Sequence, residues 1–210
     1  MTHHVLQMTK DLLWLFTSLL ILLVSPGCKK QPNDASALTI PKARKVAPYP
    51  VFIETPVGEL QTISFDLATR SWDTLDLDEG GLKHDYLPYP LNAGFIPLES
   101  GEDVQKQPVW VLGDKMMPGD TLGVYLLGMV QYVEGGLTHG EFLAIPADSD
   151  LQTIAVKRFR DFVISYDPVK FMFETWMENR HGIGSVSQIS WLDEDKAGEK
   201  LAGIINYQGQ

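Results

Sequence analysis

Apolar and polar residues alternate in short runs through the first two thirds of the chain, which predicts β-strands. The pattern is clearest over residues 60–67, where Ile63, Phe65 and Leu67 alternate with polar side chains. Shorter apolar runs predict further strands over residues 51–54, 109–112, 124–133 and 142–145. Residues 56–59 combine proline and glycine, so we expect them to form a hairpin connection between the first two strands.

The last third of the chain changes to the period of a helix. Asp167 and Pro168 predict a helix start, with aspartate at the N-cap and proline at the first helical position. One apolar face follows before Gly182, formed by Val169, Met172, Phe173, Trp176 and Met177. A second helix is predicted over residues 193–205, with Leu201, Ile204 and Ile205 facing inward. Strands followed by helices indicate an α+β domain built on a small twisted sheet or barrel.

An uncharged stretch lies near the N-terminus, over residues 12–24. At about 1.5 Å per residue it is too short to cross a ~30 Å hydrocarbon core comfortably, so we interpret it as the apolar region of a signal peptide. The segment Ser25-Pro26-Gly27-Cys28 follows and resembles the cleavage box of bacterial lipoproteins, in which the cysteine thiol receives a diacylglycerol. The alternatives are a secretory signal that leaves a free thiol, or an N-terminal anchor that is never cut.

The lipoprotein interpretation divides the chain into three segments. Residues 1–27 are the predicted signal peptide, residues 28–46 the lipidated Cys28 with a flexible tether, and residues 47–210 one globular domain. Acyl chains on Cys28 would hold the protein stably on a membrane. The predicted location is therefore the bacterial cell envelope, lipid-anchored and extracytoplasmic. The outer membrane or periplasmic face is favoured because Lys29 follows the cysteine.

Charge and cysteine content exclude several classes of function. The 210 residues include 17 Lys and Arg against 27 Asp and Glu, so the formal net charge is −10, and the isoelectric point is near 4.9. Nucleic acid and anionic membrane surfaces attract basic faces, so we expect no nucleic-acid partner. The single cysteine excludes an internal disulfide framework and any CxxC zinc or redox site.

Several segments, in chain order, resemble the family I soluble inorganic pyrophosphatases. Residues 51–56, with Glu54, resemble the opening V-x-I-E-x-P strand of that family, and residues 87–97, with Tyr89 and Asn92, resemble its Y-P-x-N-Y-G-F-I-P run. Residues 142–146 and 173–177 resemble its I-I-A-V-P and F-F-E-x-Y-K segments. The similarity covers about residues 51–205. It implies a five-stranded, OB-like β-barrel flanked by C-terminal helices, and a cluster of Mg²⁺ ions that hydrolyses pyrophosphate.

The residues that would hold this metal cluster are replaced. The family builds its site mainly on D-x-D-P-x-D, because hard divalent cations need several carboxylate oxygens at one point. Aligned through the proline, this chain has Gln105, Gln107 and Trp110 at the three aspartate positions, with Lys106 between the glutamines. Other replacements affect both metal-binding and phosphate-binding groups, at Ala93, Glu134, His139, Glu141, Trp176 and Met177. The resemblance places two further aspartates of the family at Glu134 and His139, and of these positions Glu134 alone keeps a carboxylate.

Loss of carboxylates and cations together predicts a catalytically degenerate member of this fold. The predicted function is a membrane-tethered binding or accessory module, whose partner is an unidentified protein or a second copy of the chain. The alternative is an active inorganic diphosphatase outside the cytoplasm, hydrolysing pyrophosphate to two phosphates with Mg²⁺ as its cofactor.

In that alternative Glu102, Asp103 and Glu134 form a rebuilt metal site. The rest of the site region is predicted to contain Glu54, Tyr89, Asn92, His139 and Glu141. Trp110, Trp176 and Met177 either pack in the core or line a new apolar pocket.

Overall fold

The computed structural model describes residues 38–42, 44, 46–75, 87–100 and 103–208, all within the compact unit Asn33–Gln210. The elements in this part of the chain are β1 (Tyr49–Thr55), β2 (Thr62–Asp66), β3 (Ser71–Leu75), β4 (Asn92–Ser100), β5 (Asp103–Val111), β6 (Thr121–Glu134), β7 (Leu137–Pro146), a 3₁₀ turn (Ser149–Leu151), α1 (Phe159–Asn179), β8 (Val186–Asp193) and α2 (Glu194–Gln208). Each strand predicted from the sequence overlaps one of these strands. None of the helices in the described ranges is both long and apolar enough to cross a bilayer. The predicted signal peptide and Cys28 lie outside the described residues.

Five strands close into a barrel in the order β1-β4-β5-β7-β6, because β6 pairs with both β7 and β1. The β5–β7 pair is parallel and the other four pairs are antiparallel. The first residues of β6 pair with β1, and six of its last seven residues pair with β8 along the same edge. The prediction of an α+β fold with a five-stranded OB-like barrel and C-terminal helices is confirmed.

The barrel interior is a buried apolar cluster drawn from every barrel strand. It contains Val51, Ile96, Val109, Val124 and Phe142, together with Ala197 and Leu201 of α2. Helix α2 therefore closes one end of the barrel, and the predicted second helix with Leu201 facing inward is confirmed.

Two elements cover the outside of the barrel. Helix α1 packs Phe173, Trp176 and Met177 over the outer face of β5, β6 and β7. The β2–β3 hairpin packs Phe65 against Phe52, with ring centroids 5.2 Å apart. Leu38 and Ile40, which fall inside the predicted tether, pack against the cluster formed by Phe52, Phe65 and Phe95.

The predicted hairpin between β1 and β2 is wrong. Strand β2 pairs with β3, because both edges of β1 are already used by β4 and β6 in closing the barrel. Side chains of β1 hold β2 instead. The Phe65 N–H donates to Glu54 Oε1 at 2.7 Å, and the Ile63 N–H donates to Thr55 Oγ1 at 3.0 Å.

The first predicted helix begins earlier than expected. Helix α1 starts at Phe159, and a kink at Tyr166, with φ −133° and ψ 28°, lies one residue before Asp167. Pro168 favours the kink, because its ring removes one N–H donor and crowds the preceding turn. Only the second half of α1 therefore starts near the predicted position, at Asp167. Met172, predicted to face inward, is 49% exposed, since the buried face is centred on Phe173, Trp176 and Met177.

Candidate functional site

A cavity of about 210 Å³ opens on the outer face of the barrel, between the β2–β3 hairpin and the C-terminal half of α1. Its walls combine aromatic and charged side chains from β1, β5, β7 and α1, from the loop before β4 and from the residues that follow α1, including Glu54, Tyr89, Trp110, Glu141, Trp176 and Arg180. Ala93 also lines it. Three residues of the predicted site region, Glu54, Tyr89 and Glu141, therefore line one cavity together with Arg180, whereas Asn92 and His139 are not among its lining residues.

Arg180 and Glu141 form the centre of a hydrogen-bond network in the wall of this cavity. The Arg180 Nη2 lies 3.3 Å from Glu141 Oε1 and donates to the Tyr132 hydroxyl at 2.5 Å. The Tyr132 hydroxyl donates to Glu141 Oε1, and the Trp110 indole N–H donates to Glu141 Oε2. Both oxygens of Glu141 are therefore already bound by protein donors.

Burial strengthens this network. The Arg180 side chain is only 11% exposed. Burial alone would lower its pKa, but the charge of Glu141 and the contact with Tyr132 outweigh that effect and raise the pKa of Arg180 above its ordinary value. Burial, followed by the charge of Glu141, raises the pKa of Tyr132. Arg180 is thus a permanent positive charge and Tyr132 stays protonated.

Glu134 is bound to the same arginine and to a histidine. Its Oε2 lies 3.6 Å from Arg180 Nη2, and its Oε1 lies 2.6 Å from His181 Nδ1. Burial acts to raise the pKa of Glu134, but the His181 hydrogen bond and the nearby positive charges lower it below its ordinary value. His139 stacks on the Tyr132 ring, with centroids 5.3 Å apart.

Trp110 stands where the resemblance expects a carboxylate, and it is packed in an aromatic cluster. It is 4% exposed, and its ring centroid lies 5.9 Å from Tyr89, 5.3 Å from Trp176 and 5.2 Å from Phe173. Trp110 and Trp176 belong to the core and also line the cavity, whereas Met177 is fully buried and does not line it. Both interpretations of the tryptophans therefore hold in part.

A second ion pair lies beside the cavity. Lys106 Nζ is 2.5 Å from Glu54 Oε1 and sits 4.9 Å from the centre of the Phe95 ring. Strand β5 pairs with β4 in unbroken register, so Gln105 and Gln107 lie on the face opposite Lys106. Neither glutamine is among the residues that line the cavity.

Asp103, another predicted metal ligand, is not brought to this cavity. Asp103 pairs with Ser100 at the far end of β5, seven residues and roughly 23 Å from Trp110. Glu102 lies outside the described residues. Within the described ranges, no three His, Cys, Asp or Glu side chains form a group able to hold a metal ion. The residues present do not fit a magnesium cluster, because Glu134 and Glu141 already bind Arg180, His181 and neutral donors.

Asn92 has a different place from the one expected. It is fully buried, and its Oδ1 accepts the N–H groups of Val57 and Met116, each at 3.1 Å. Its amide nitrogen donates to the Asp114 carbonyl at 2.9 Å. Asn92 therefore holds two loops together beneath the site. Tyr89, in contrast, lines the cavity and hydrogen-bonds to the Thr62 hydroxyl at 2.6 Å.

Arg180 and His181 were not identified as site residues from the sequence. Arg180 is 39 residues from Glu141 in the chain, so only the fold brings them together. One signal was available: Arg180 follows Trp176 by four residues, which places both on the same face of a helix. A positive charge one turn beyond a predicted site residue is a candidate for the same site.

Comparison with known proteins identifies the fold. No protein-family model matches the chain, and no curated protein matches its sequence. Among solved structures, the chain is similar to the inorganic pyrophosphatase of Helicobacter pylori, at 17% identity and a TM-score of 0.62 over 82% of this chain and 100% of that chain. The Thermus thermophilus enzyme has 20% identity and a TM-score of 0.61, over 82% of this chain and 98% of that chain. The Neisseria gonorrhoeae enzyme has 18% sequence identity and a TM-score of 0.59, over 86% of this chain and 96% of that chain. The chain thus has the inorganic pyrophosphatase fold.

Proposed function

We propose that this chain is a membrane-tethered module of pyrophosphatase fold that binds a partner or ligand and does not hydrolyse pyrophosphate. The observation that carries the proposal is the position of Arg180, whose guanidinium lies 3.3 Å from Glu141 and 3.6 Å from Glu134. A protein side chain thus supplies the positive charge for Glu141, which lines the cavity, and for Glu134 beside it. The tether rests on the resemblance of residues 25–28 to a lipoprotein cleavage box.

The charge of Arg180 opposes binding of a divalent cation at these carboxylates. The single charge of Arg180 and the double charge of Mg²⁺ would repel each other by an energy on the order of 8 kcal/mol, at a separation of about 4 Å and an effective dielectric constant of roughly 20. Mg²⁺ also needs several free oxygen ligands, and both oxygens of Glu141 already accept hydrogen bonds. Binding Mg²⁺ here would require Arg180 to leave a buried network.

The remaining substitutions act in the same direction. Trp110 places a buried indole where pyrophosphate hydrolysis in the resembling family uses a carboxylate, and Lys106 neutralises Glu54. Metal-assisted phosphoryl transfer depends on positioned charge, with about 10²–10³ in rate lost for each preorganised contact removed. The charged side chains that line the cavity are paired within the protein, Glu54 with Lys106 and Glu141 with Arg180.

Magnesium ions are expected to leave the thermal stability of the protein unchanged. The full-length chain in detergent would be melted with millimolar MgCl₂ and with NaCl of matched ionic strength, following tryptophan fluorescence. A ligand present at a hundred times its dissociation constant adds about 2.7 kcal/mol to the free energy of unfolding, which is a rise in Tm of about 5–10 °C for a protein of this size. Equal Tm values in the two salts are the predicted result, and a Mg²⁺-specific rise of that size would contradict the proposal.

A further inference from the structure

The β2–β3 hairpin is a two-stranded sheet of its own, and in the described part of the chain no strand pairing joins it to the barrel. Side chains of β1 hold it instead. The Thr55 hydroxyl exchanges hydrogen bonds with the carbonyl and the N–H of Ile63, at 2.8 Å and 3.0 Å, and Glu54 accepts the Phe65 N–H. Contacts of this kind can break while the backbone ladder of each sheet stays intact. The hairpin is therefore separable from the barrel as a unit.

The same hairpin forms one wall of the cavity. Thr62, Ile63 and Ser64 of β2 line it, and Trp176 and Arg180 line it from the end of α1. Outward movement of the hairpin would widen the cavity toward solvent.

Buried N–H groups without partners lie on both sides of this cavity wall. Among the described residues, the buried side-chain atoms that lack a hydrogen-bond partner include Trp72 Nε1 in the hairpin, and Trp176 Nε1 and Arg180 Nε at the end of α1. A buried donor that has lost water and gained no partner destabilises the arrangement that buries it. Water that enters when the hairpin moves outward can satisfy such donors, which lowers the free-energy cost of opening.

A segment ahead of the barrel holds the hairpin in place. Arg70, in the turn between β2 and β3, donates through Nη2 to the carbonyl oxygen of Leu38. Leu38 and Trp72 both lie against the loop before β6, since a Cβ added at Gly119 would be 2.8 Å from Leu38 Cδ2 and 3.5 Å from Trp72 Cζ2. Residues 38–40, which we call the strap, therefore contact the hairpin and the body of the domain together.

We propose that the β2–β3 hairpin is a flap over the cavity, which opens as an intact unit and is held closed by the strap. The structure shows the closed form, in which Phe65 is fully buried. Opening exposes this ring to water, so the open form is a minor population. A ligand enters the cavity while the flap is open. The inference rests on the cavity being the binding site of the proposed function.

Residue-resolved hydrogen exchange of the full-length chain in detergent tests whether the hairpin opens as a unit. The N–H groups of Ile63 and Phe65, the flap amides, point to β1, so the Ser64 N–H points the other way, to its partner strand β3. Opening as a unit frees the two flap amides and leaves the Ser64 amide bound. We expect the flap amides to exchange at least about a hundredfold faster than the amides of Ser64 and of Val130 in the barrel.

Two outcomes of this measurement would overturn the proposal. Equal exchange of the Ser64 amide and the flap amides would show that the hairpin unfolds locally. Exchange of the flap amides as slow as that of Val130 would show that the hairpin does not open.

The indole N–H groups extend the test to the cavity. Trp72 and Trp176 have buried indole N–H groups without partners, whereas Trp110 lines the same cavity with its N–H bound to Glu141. We expect the Trp72 and Trp176 indoles to report the same opening equilibrium constant as the Phe65 amide, and the Trp110 indole to exchange more slowly. A Trp176 indole that exchanges no faster than that of Trp110 would show that the hairpin does not control access to the cavity, and would overturn the proposal.

Leu38→Ala tests the strap. The shorter side chain loses contacts with the hairpin and with the loop before β6, so exchange of the flap amides is expected to rise about tenfold while barrel amides stay unchanged. Val46→Ala is the matched control, because it truncates a side chain of the same segment that is 71% exposed. Unchanged flap exchange in Leu38→Ala, or an equal effect of the two substitutions, would overturn the role of the strap. These measurements need no ligand, so their failure is distinct from failure of the proposed function, which Mg²⁺ melting and phosphate release test.

Discussion

Replacing Arg180 with methionine is expected to lower the free energy of unfolding by about 3–5 kcal/mol. Methionine has a similar length but no charge, so Glu141 and Glu134 would be left partly buried without their shared cation. Removing one partner of a buried ion pair costs this much because the remaining charge is uncompensated. Urea unfolding of the full-length chain in detergent measures the change.

Two comparisons separate this effect from a general loss of charge. Lys115 forms an exposed ion pair with Glu59 at 2.9 Å, and Lys115→Met is expected to cost less than about 1 kcal/mol. In Arg180→Met, millimolar Mg²⁺ is expected to recover part of the lost Tm, because the two carboxylates then lack a cation. Equal, small effects of Arg180→Met and Lys115→Met would show that Arg180 does not neutralise the site.

The second large effect is expected for Gly94→Ala, which should lower the free energy of unfolding by about 3 kcal/mol or more. A Cβ at Gly94 would lie 2.2 Å from the Phe52 carbonyl oxygen and 3.0 Å from the Ile53 Cα. Gly94 pairs with Ile53 where β4 meets β1, next to a break in register. Both obstructing atoms are backbone atoms, so relief requires movement of a barrel strand rather than of a side chain.

Gly198→Ala is the matched control for this substitution. Gly198 lies in α2, and a Cβ there would meet no atom within 4 Å. Alanine in an open helical position is expected to raise the free energy of unfolding by up to about 1 kcal/mol. Thermal melts of the two variants should therefore shift in opposite directions. A Gly94→Ala protein as stable as wild type would contradict the close approach of β1 and β4.

Several strands, in the barrel and in the hairpin outside it, were predictable because they follow simple rules. Residues 60–67 and 142–145 show the alternation or apolar run of a buried strand, and the 87–97 segment carried the resemblance that led to the five-stranded barrel. Partner choice was not predictable from this pattern. Proline and glycine at residues 56–59 indicate a turn, but they do not show that β1 pairs with β4 and β6.

Strands β3, β4 and β8 and the first half of α1 were not predicted, and β8 and α1 show two different physical reasons. Strand β8 has a mixed burial pattern, with one fully buried residue at Val186, so it lacks a clear alternation. The first half of α1 was missed because Asp167 and Pro168 are a strong helix start, and the kink at Tyr166 makes that signal internal to a longer helix. Tertiary packing of Phe162 extends the helix backwards beyond the signal.

The sequence predicted several residues of the site but not the network of ion pairs and hydrogen bonds that joins them. Loss of the expected carboxylates at Gln105, Gln107 and Trp110 was visible in the sequence. Compensation by Arg180 was not, because the contacts to Glu134 and Glu141 span 46 and 39 residues. Sequence patterns report local periodicity, whereas a charge network of this kind depends on the register of β6 and β7 and on where α1 ends.

The most direct test of the central claim is phosphate release from pyrophosphate. The purified full-length chain in detergent would be assayed with and without millimolar Mg²⁺, beside an active inorganic pyrophosphatase at equal concentration. Release that is unaffected by Mg²⁺ and more than about a thousandfold below the active enzyme is the predicted result. Mg²⁺-dependent turnover within about a thousandfold of that enzyme would contradict the account, and would identify the cavity as a rebuilt catalytic site.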